Sequence, residues 1–202
     1  MTKTEEQVRE IKQSFRLMMN GVTAQSMRQK GVGYKLNWGA SLADLQQMAD
    51  QYNCDYDLAV ALWKEDIREC KILATMLMPR ERMLPDLAEL WMEQTPSQEI
   101  AELLAFNLFQ HLDFAPMLAY RWMASDEPLR QICAYQLLAR LFAQGKEPNE
   151  RGINEFLDQA STALSDAHAG VRHAAFNCTV RFSQLGDAYA NIARKALRLD
   201  FL

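Results

Sequence analysis

Hydrophobic residues recur along most of the chain at intervals of three and four, the period that places them on one side of an α-helix. In the segment SLADLQQMADQYN (41–53), for example, Leu45 and Met48 lie on one helical face. Ser41 opens this segment and Asp44 stands three positions later, which is a capping-box-like start for a helix. No stretch shows the sustained alternation of a half-buried strand. The pattern therefore predicts an all-α protein.

Glycine and proline cluster where the helical pattern breaks, and most of the linkers between predicted helices are only one to five residues long. Short linkers make consecutive helices antiparallel neighbours. The least regular linkers are 31–40 and 144–149. The predicted helices are 4–19, 22–30, 41–53, 56–64, 66–78, 82–94, 97–112, 114–124, 127–143, 150–164, 168–185 and 188–198.

A similar sequence occurs twice, as SDEPLRQICAYQLLARL (125–141) and SDAHAGVRHAAFNCTVRF (165–182). Each copy opens with Ser-Asp, continues to an aliphatic–Arg pair, and then runs into a helix of small and apolar residues. Looser versions occur earlier in the chain, at 62–77 and 90–109. A helical pair that recurs several times along a chain is typical of an α-solenoid, in which every pair docks on its neighbour in the same way.

The polar positions that the two copies share have a structural interpretation. An Asp at a helix N-terminus accepts backbone N–H bonds. Arg130 and Arg172 come early in the second helices, where they are placed to bond an acidic or carbonyl group of an adjacent repeat. This Asp…Val/Leu-Arg pattern resembles HEAT repeats. We expect residues 1–202 to form one HEAT-like α-solenoid domain, a right-handed superhelical stack of about five antiparallel helix pairs, with its concave surface as the working face.

Composition narrows the classes of function. The net charge is −4, which argues against tight non-specific DNA binding because dedicated nucleic-acid binders are mostly basic. No apolar run approaches the roughly 20 residues that span a bilayer, and the N-terminus lacks the features of a secretion signal. We therefore expect a cytoplasmic protein without a membrane partner.

The cysteines and histidines do not form a metal-binding pattern. No CxxC pair occurs, and His168 and His173 are five residues apart, a poor spacing for one helical face. Three cysteines fall inside apolar helical patterns and are expected to be buried thiols: Cys70, Cys133 and Cys178. We expect no metal and no cofactor.

Three segments resemble the AlkD-type DNA alkylation repair glycosylases, a family with HEAT-like repeats. They are GASLADL (39–45), ALWKEDIRECKILATML (61–77) and RWMASDEPLRQICAYQLL (121–138), and the resemblance extends over roughly residues 20–185. It implies that duplex DNA binds in the concave face and that N3- or N7-alkylated purines are released. In such enzymes an Asp stabilises the cationic sugar, Trp residues contact the lesion's deoxyribose, and an Arg supports the phosphate.

The resemblance assigns these roles to positions where this chain mostly carries other residues. The family's Trp-Asp-x-x-Asp motif falls on residues 98–102, which makes Glu102 the candidate catalytic carboxylate. The family's Arg falls on Gln131, and its second Trp falls on Cys178. The resemblance therefore implies glycosylase activity that is weak or lost. Glu99 and Glu102 also form a pair one turn apart, which the helix dipole alone would favour.

The other candidate residues are basic and aromatic. In the family the irregular region around 31–35 touches the DNA backbone, and the last helix carries the most basic cluster of the chain. The candidate DNA-binding residues are Lys30, Tyr34, Lys35, Arg130, Arg172, Arg194 and Lys195. The candidate aromatic surface residues, if the alignment slips, are Trp91 and Trp122.

Two functions remain open from the sequence. The order of the helical elements favours a DNA-binding relative of the repair glycosylases. The acidic net charge favours a protein–protein interaction scaffold that keeps the solenoid without the chemistry. A shared fold cannot decide between them.

Overall fold

The computed structural model describes residues 2–30 and 32–199, and over these residues the chain forms twelve α-helices and no named strand. One isolated parallel bridge joins Leu36 to Ile67. The all-α prediction is confirmed. The helices are α1 (Lys3–Ser14), α2 (Gly21–Gln29), α3 (Leu42–Ala49), α4 (Tyr56–Lys64), α5 (Arg68–Leu77), α6 (Pro85–Glu93), α7 (Gln98–Leu103), α8 (Ala115–Met123), α9 (Pro128–Ala143), α10 (Glu150–Ala163), α11 (Ala169–Ser183) and α12 (Asp187–Leu197).

Each predicted helix has a counterpart, and the main differences lie in two helices that were predicted too long. The predicted helix 4–19 continues from α1 as a 3₁₀ segment, Phe15–Met18. The predicted helix 97–112 continues from α7 as a π-helical turn, Leu104–Leu108, and a 3₁₀ turn, Phe109–His111. Hydrophobic periodicity cannot distinguish these local changes of winding from a continuous α-helix.

The chain clusters into two compact units, one ending at Leu84 and the other beginning at Pro85. The expectation of one domain over residues 1–202 stays a prediction. Among the described residues, no helix is both long and apolar enough to cross a bilayer.

In the first unit, α1 packs on α4, and α5 packs on both α3 and α4. The irregular segment before α3, residues 32–40, is held by the start of α5. The buried Glu69 carboxylate accepts hydrogen bonds from the backbone N–H groups of Trp38 (3.2 Å) and Ala40 (3.3 Å). The buried Arg68 guanidinium donates to the Ala40 carbonyl at 2.9 Å and to Glu69 at 3.1 Å.

Gly39 is required at the close approach between this segment and α2. Its φ is +71°, in the left-handed region, and an added Cβ would lie 2.3 Å from the carbonyl oxygen of Asn20. Because the clash is with backbone, a side chain at this position would force the segment away from α2.

In the second unit, α9 is the central helix and packs against α7, α8 and α11. Farther along the chain, α10 packs against α11 and α12. Buried rings from α9, α10 and α11 form an aromatic cluster, with Phe142–Phe156 and Phe142–Phe182 centroids 5.5 Å apart and Phe156–Phe182 centroids 4.9 Å apart. Such tilted and edge-on contacts between large rings add to the stabilisation from buried apolar area.

Candidate nucleic-acid interface

Helices α7, α9 and α11, each the second of its pair, pack side by side in the second unit. Their N-terminal ends meet at Gly170, where an added Cβ would lie 2.5 Å from the Gln98 amide oxygen and 2.9 Å from Ile132 Cδ1. Since the C-terminal parts of α9 and α11 also line one common cleft, these two helices run parallel. The exposed side of this three-helix row is called the helix-row face below.

Glu102, the candidate catalytic carboxylate, lies on α7 at the N-terminal end of the row. Its Oε1 accepts a hydrogen bond of 2.8 Å from the Gln98 side-chain amide, and the residue is half-buried. Gln98 in turn touches Gly170 at the start of α11. Packing thus brings Glu102 toward the same end of the row as Arg172. The carboxylate is held by one neutral donor and keeps an oxygen for another partner.

Arg130 is committed to carboxylates. Its Nη1 donates to Glu89 Oε2 at 2.8 Å and its Nε to Glu127 Oε2 at 3.1 Å. Glu89 lies on α6, so Arg130 ties α9 to an earlier helix pair, which was the mechanical role expected from the repeat. With both carboxylates in place, the guanidinium is largely neutralised as a contact for phosphate.

Glu89 is the centre of this network. It also accepts hydrogen bonds from Arg121 Nη1 and from the indole N–H of Trp122, both at 2.9 Å. Burial by itself would raise the pKa of Glu89, but the hydrogen bonds from Trp122, Arg130 and Arg121 outweigh it, and the pKa lies below its usual value. One carboxylate therefore joins α6, α8 and α9.

Arg172 is exposed, and its Nη1 donates to two carbonyl oxygens of the preceding turn, those of Asp166 (2.6 Å) and Ala167 (2.9 Å). This differs from the contact to a neighbouring repeat that the sequence suggested. Since carbonyls do not neutralise a guanidinium, Arg172 keeps its full charge at the surface.

A polar cleft of about 350 Å³ opens between α9 and α11 on the helix-row face. Exposed Arg140 and Arg181 lie in it, on α9 and α11 respectively. The two helices contribute lining residues at identical spacing, because they are equivalent positions of adjacent repeats. The lining residues are Gln136, Ala139, Arg140 and Ala143 from α9, and Asn177, Val180, Arg181 and the C-cap residue Gln184 from α11.

The cleft continues toward the π-helical turn that follows α7. The Arg140 guanidinium lies 4.5 Å from the ring centroid of the exposed Phe106. Beside it, the Gln110 amide donates to the Phe106 carbonyl and its oxygen accepts from Gln144 at 2.8 Å. The π-helical turn thus presents an aromatic ring against a cation, and such turns are frequent at functional sites.

The remaining basic candidates lie away from this row. Lys30 and Lys35 are exposed and Tyr34 is half-buried in the first unit, where the Lys35 backbone N–H donates to Asp66. In the second unit, exposed Arg194 and Lys195 lie near the end of α12, and Arg194 Nη1 donates to Asn191. Their contact with DNA stays a prediction.

Comparison with known proteins assigns the chain to a family. The family model of the DNA alkylation repair enzymes matches residues 11–178. The chain belongs to the DNA alkylation repair enzyme family. A comparison with curated proteins gave no match.

The chain is also similar to a solved structure described as "a new family of proteins related to the HEAT-like repeat DNA glycosylases with affinity for branched DNA structures". The match has a TM-score of 0.79 and 14% sequence identity, and it covers 94% of this chain and 82% of the other. At this identity the match establishes the fold, which confirms the expected HEAT-like repeats.

Trp91 and Trp122 were predicted to supply aromatic surface if the alignment slips, and the structure shows otherwise. Trp91 and Trp122 are each 1% exposed. Trp122 packs on Phe109 with ring centroids 5.4 Å apart and donates its indole N–H to Glu89. The aromatic-surface prediction is wrong for both, because their helices turn the indoles into the core between repeats.

Two further positions that the family resemblance singled out are also occupied by structural contacts. Cys178 is fully buried, so it cannot reach a ligand. Gln131 donates its side-chain amide to the Ser125 carbonyl at 2.7 Å, which closes the turn before α9. Across the part of the chain that the structure describes, no group of three or more His, Cys, Asp or Glu side chains could hold a metal ion.

Proposed function

We propose that this member of the DNA alkylation repair family binds DNA on the helix-row face of its second unit, and that its N-glycosylase activity on alkylated purines is weak or lost. The main support is the α9–α11 cleft, in which two exposed arginines from adjacent repeats face one space. A cytoplasmic location is part of the proposal.

The chemistry of the cleft suits a phosphate backbone. Arginine presents a planar fork of donors that matches phosphate oxygens, and Arg140 and Arg181 carry this fork on neighbouring helices. The amides of Gln136, Asn177 and Gln184 add neutral donors along the same cleft. These groups are not base-reading devices by themselves, so we expect binding that depends on backbone and shape rather than on sequence.

The surroundings of Glu102 support the proposal of reduced glycosylase activity. Stabilising a cationic sugar requires a carboxylate with a free oxygen, aromatic surface and a cation on the phosphate. Glu102 supplies the first, but its own neighbour Gln98 holds one oxygen. The equivalent positions for the aromatic and the cation are Cys178, which is buried, and Gln131, which closes a turn.

Branched DNA is the first ligand to test. The structural neighbour is described as having affinity for branched DNA structures. We propose that this chain, too, prefers a junction to a plain duplex, because a face that reads backbone geometry distinguishes shapes better than sequences.

The binding experiment compares a four-way junction with a linear duplex by fluorescence anisotropy over a range of salt. We expect Arg140→Gln/Arg181→Gln to weaken binding about tenfold or more and to reduce the salt slope by about 2. Arg151→Gln/Lys146→Gln is the matched control, since both residues are exposed in the same unit and lie outside the cleft. Equal losses in both double variants would contradict the assignment of the cleft.

The catalytic experiment uses a duplex that contains N7-methylguanine and measures the released base. We expect no release, or slow release that Glu102→Gln abolishes. Release that persists in Glu102→Gln would remove Glu102 from the mechanism, and release at the rate of an efficient glycosylase would overturn the proposal of weak or lost activity.

The alternative is a protein–protein interaction scaffold, and one observation favours it. In the first unit, Leu17, Met19 and Val22 are 89%, 61% and 81% exposed within six residues of sequence. Apolar side chains this exposed are typical of surfaces that meet another molecule. If neither DNA form binds at low salt, the scaffold becomes the better interpretation.

A further inference from the structure

The first unit contains a cavity of about 570 Å³ that the proposed function does not use. It lies between α1, the segment before α3, and the adjoining parts of α4 and α5. Val8 and Ile67 are buried apolar residues of its wall, and Trp38 and Leu36 line it from the irregular segment. Cavities of this size and mixed lining are the usual sites of small organic ligands.

Some of the charged side chains around the cavity have partners, and others do not. Lys12 is paired with Glu65 at 2.8 Å, and Glu5 accepts the backbone N–H of Thr2 at the start of α1. Arg9 and Arg16 also line the cavity, are exposed, and have no carboxylate partner among the described residues. The rim of the cavity therefore carries two cations that remain free to bind an anionic group.

Trp38 gives the cavity an aromatic wall, and both of its backbone polar groups are bonded. Its backbone N–H is bonded to the buried Glu69, and its carbonyl oxygen accepts the N–H of Asn20 at 2.8 Å. The indole N–H, by contrast, is buried with no hydrogen-bond partner in the described structure. Because this nitrogen is buried, a ligand in the cavity contacts the carbon surface of the Trp38 ring.

We infer that this cavity binds a planar aromatic anion with the chemistry of a nucleotide. The ring packs against Trp38 and the apolar residues Val8 and Ile67. The anionic group lies at the rim between Arg9 and Arg16. Two sources offer this chemistry, a free mononucleotide and an unpaired nucleotide of a DNA strand. The site lies entirely within the first unit and does not rest on the proposed function.

The chain has four tryptophans, and their indole N–H signals in a ¹H–¹⁵N NMR spectrum test the inference. Trp38→Phe assigns the Trp38 signal by its disappearance. On titration with purine and pyrimidine nucleoside monophosphates, or with a five-nucleotide single strand, we expect that signal to move saturably. The signals of Trp63, Trp91 and Trp122 should stay in place. Inorganic phosphate, which lacks the ring, should not reproduce the shift.

The cation requirement is tested by Arg9→Gln/Arg16→Gln, which alters only exposed side chains and leaves the wall intact. We expect at least a tenfold weaker apparent affinity, whereas Arg28→Gln, exposed on α2 and outside the cavity, should bind normally. Arg140→Gln/Arg181→Gln should also leave this site unchanged, which separates it from the proposed DNA interface.

Each result assigns or overturns the site. Equal saturation by mononucleotides and by the single strand identifies a free-nucleotide site, and a shift by the single strand alone identifies a strand-end site. No movement of the Trp38 signal with any of these ligands at millimolar concentration overturns the inference. Movement that is unaffected by Arg9→Gln/Arg16→Gln does so as well, because it removes the anion from the interaction.

Discussion

The two units of the molecule place their buried polar groups differently. Among the described residues, the buried charged side chains all lie in the first unit: Arg68, Glu69 and Lys71. The buried polar side chains of the second unit are neutral: Thr95, Gln110 and Thr179. In the second unit, the main charge network, around Glu89, stays partly exposed.

The difference follows from the kind of backbone in each unit, because the first contains an irregular segment and the second consists mainly of helices. In the first unit an irregular segment lies against α5, and its N–H and carbonyl groups have no helical partners. Glu69 and Arg68 satisfy three of them, and Lys71 donates to the Trp63 carbonyl in the last turn of α4 at 2.8 Å. In the second unit the helices satisfy their own backbone, so apolar and aromatic contacts are sufficient. Burying charge is costly, and in the first unit it occurs where backbone groups of the irregular segment and of the last turn of α4 lack helical partners.

The largest effect is expected from Phe182→Ala, which removes a fully buried ring at the centre of the aromatic cluster. We expect a loss of about 3–5 kcal/mol in the free energy of unfolding, since the cavity left among Phe142 and Phe156 cannot fully collapse. Urea unfolding followed by tryptophan fluorescence measures it. Phe176→Ala on the same helix, where the ring is exposed, should cost less than about 1 kcal/mol. Similar losses would contradict the apolar account of the second unit.

Glu69→Gln tests the corresponding account of the first unit. The change keeps the shape but leaves Arg68 buried without a counter-charge, so we expect a loss of about 3 kcal/mol. Glu81→Gln, at an exposed position of the same unit, is the control and should be nearly neutral. A stability that Glu69→Gln leaves unchanged would mean that the buried pair does not hold the segment before α3.

Glu89→Gln is expected to cost less, about 1–2 kcal/mol at neutral pH, because its carboxylate is partly solvated. The pKa of Glu89 is lowered in the folded protein, so its contribution is present above the ordinary carboxyl value and is lost as pH falls through the lower folded value. Unfolding measured at pH 7 and at pH 3 should therefore show a smaller difference between wild type and Glu89→Gln at the acidic pH. A difference independent of pH would contradict the charged network.

Thiol labelling, which leaves the free energy of unfolding unchanged, is expected to report the opening of each unit separately. Cys54 is exposed and should react at once, whereas Cys70, Cys133 and Cys178 are buried, as the sequence predicted. Burial raises the pKa of Cys70 to about 12, which further slows its reaction. In moderate urea, labelling of Cys70 reports opening of the first unit, and labelling of Cys133 and Cys178 reports opening of the second. Simultaneous labelling of all three would show that the units open together.

Sequence reasoning located part of the candidate site. The role of Arg130 as a tie to another helix pair was accessible, because repeated spacing identifies equivalent positions, whereas the role of Glu102 stays a prediction. Arg140 and Arg181 were missed as a pair, although they stand at equivalent positions of two repeats. An arginine near the end of an otherwise apolar helix looks like an ordinary solvated residue, and only the packing of α9 on α11 makes the two face one cleft.

The sequence by itself determined the all-helical class, the order of the helices and the recurrence of a helical pair, since these depend on local periodicity and on capping residues. Tertiary structure decided which side chains are accessible. It buried Trp91 and Trp122, engaged Arg130 with two carboxylates, and left the Trp38 indole N–H without a partner beside a cavity. Periodicity records only one side of a helix, whereas accessibility depends on the neighbouring helices that cover it.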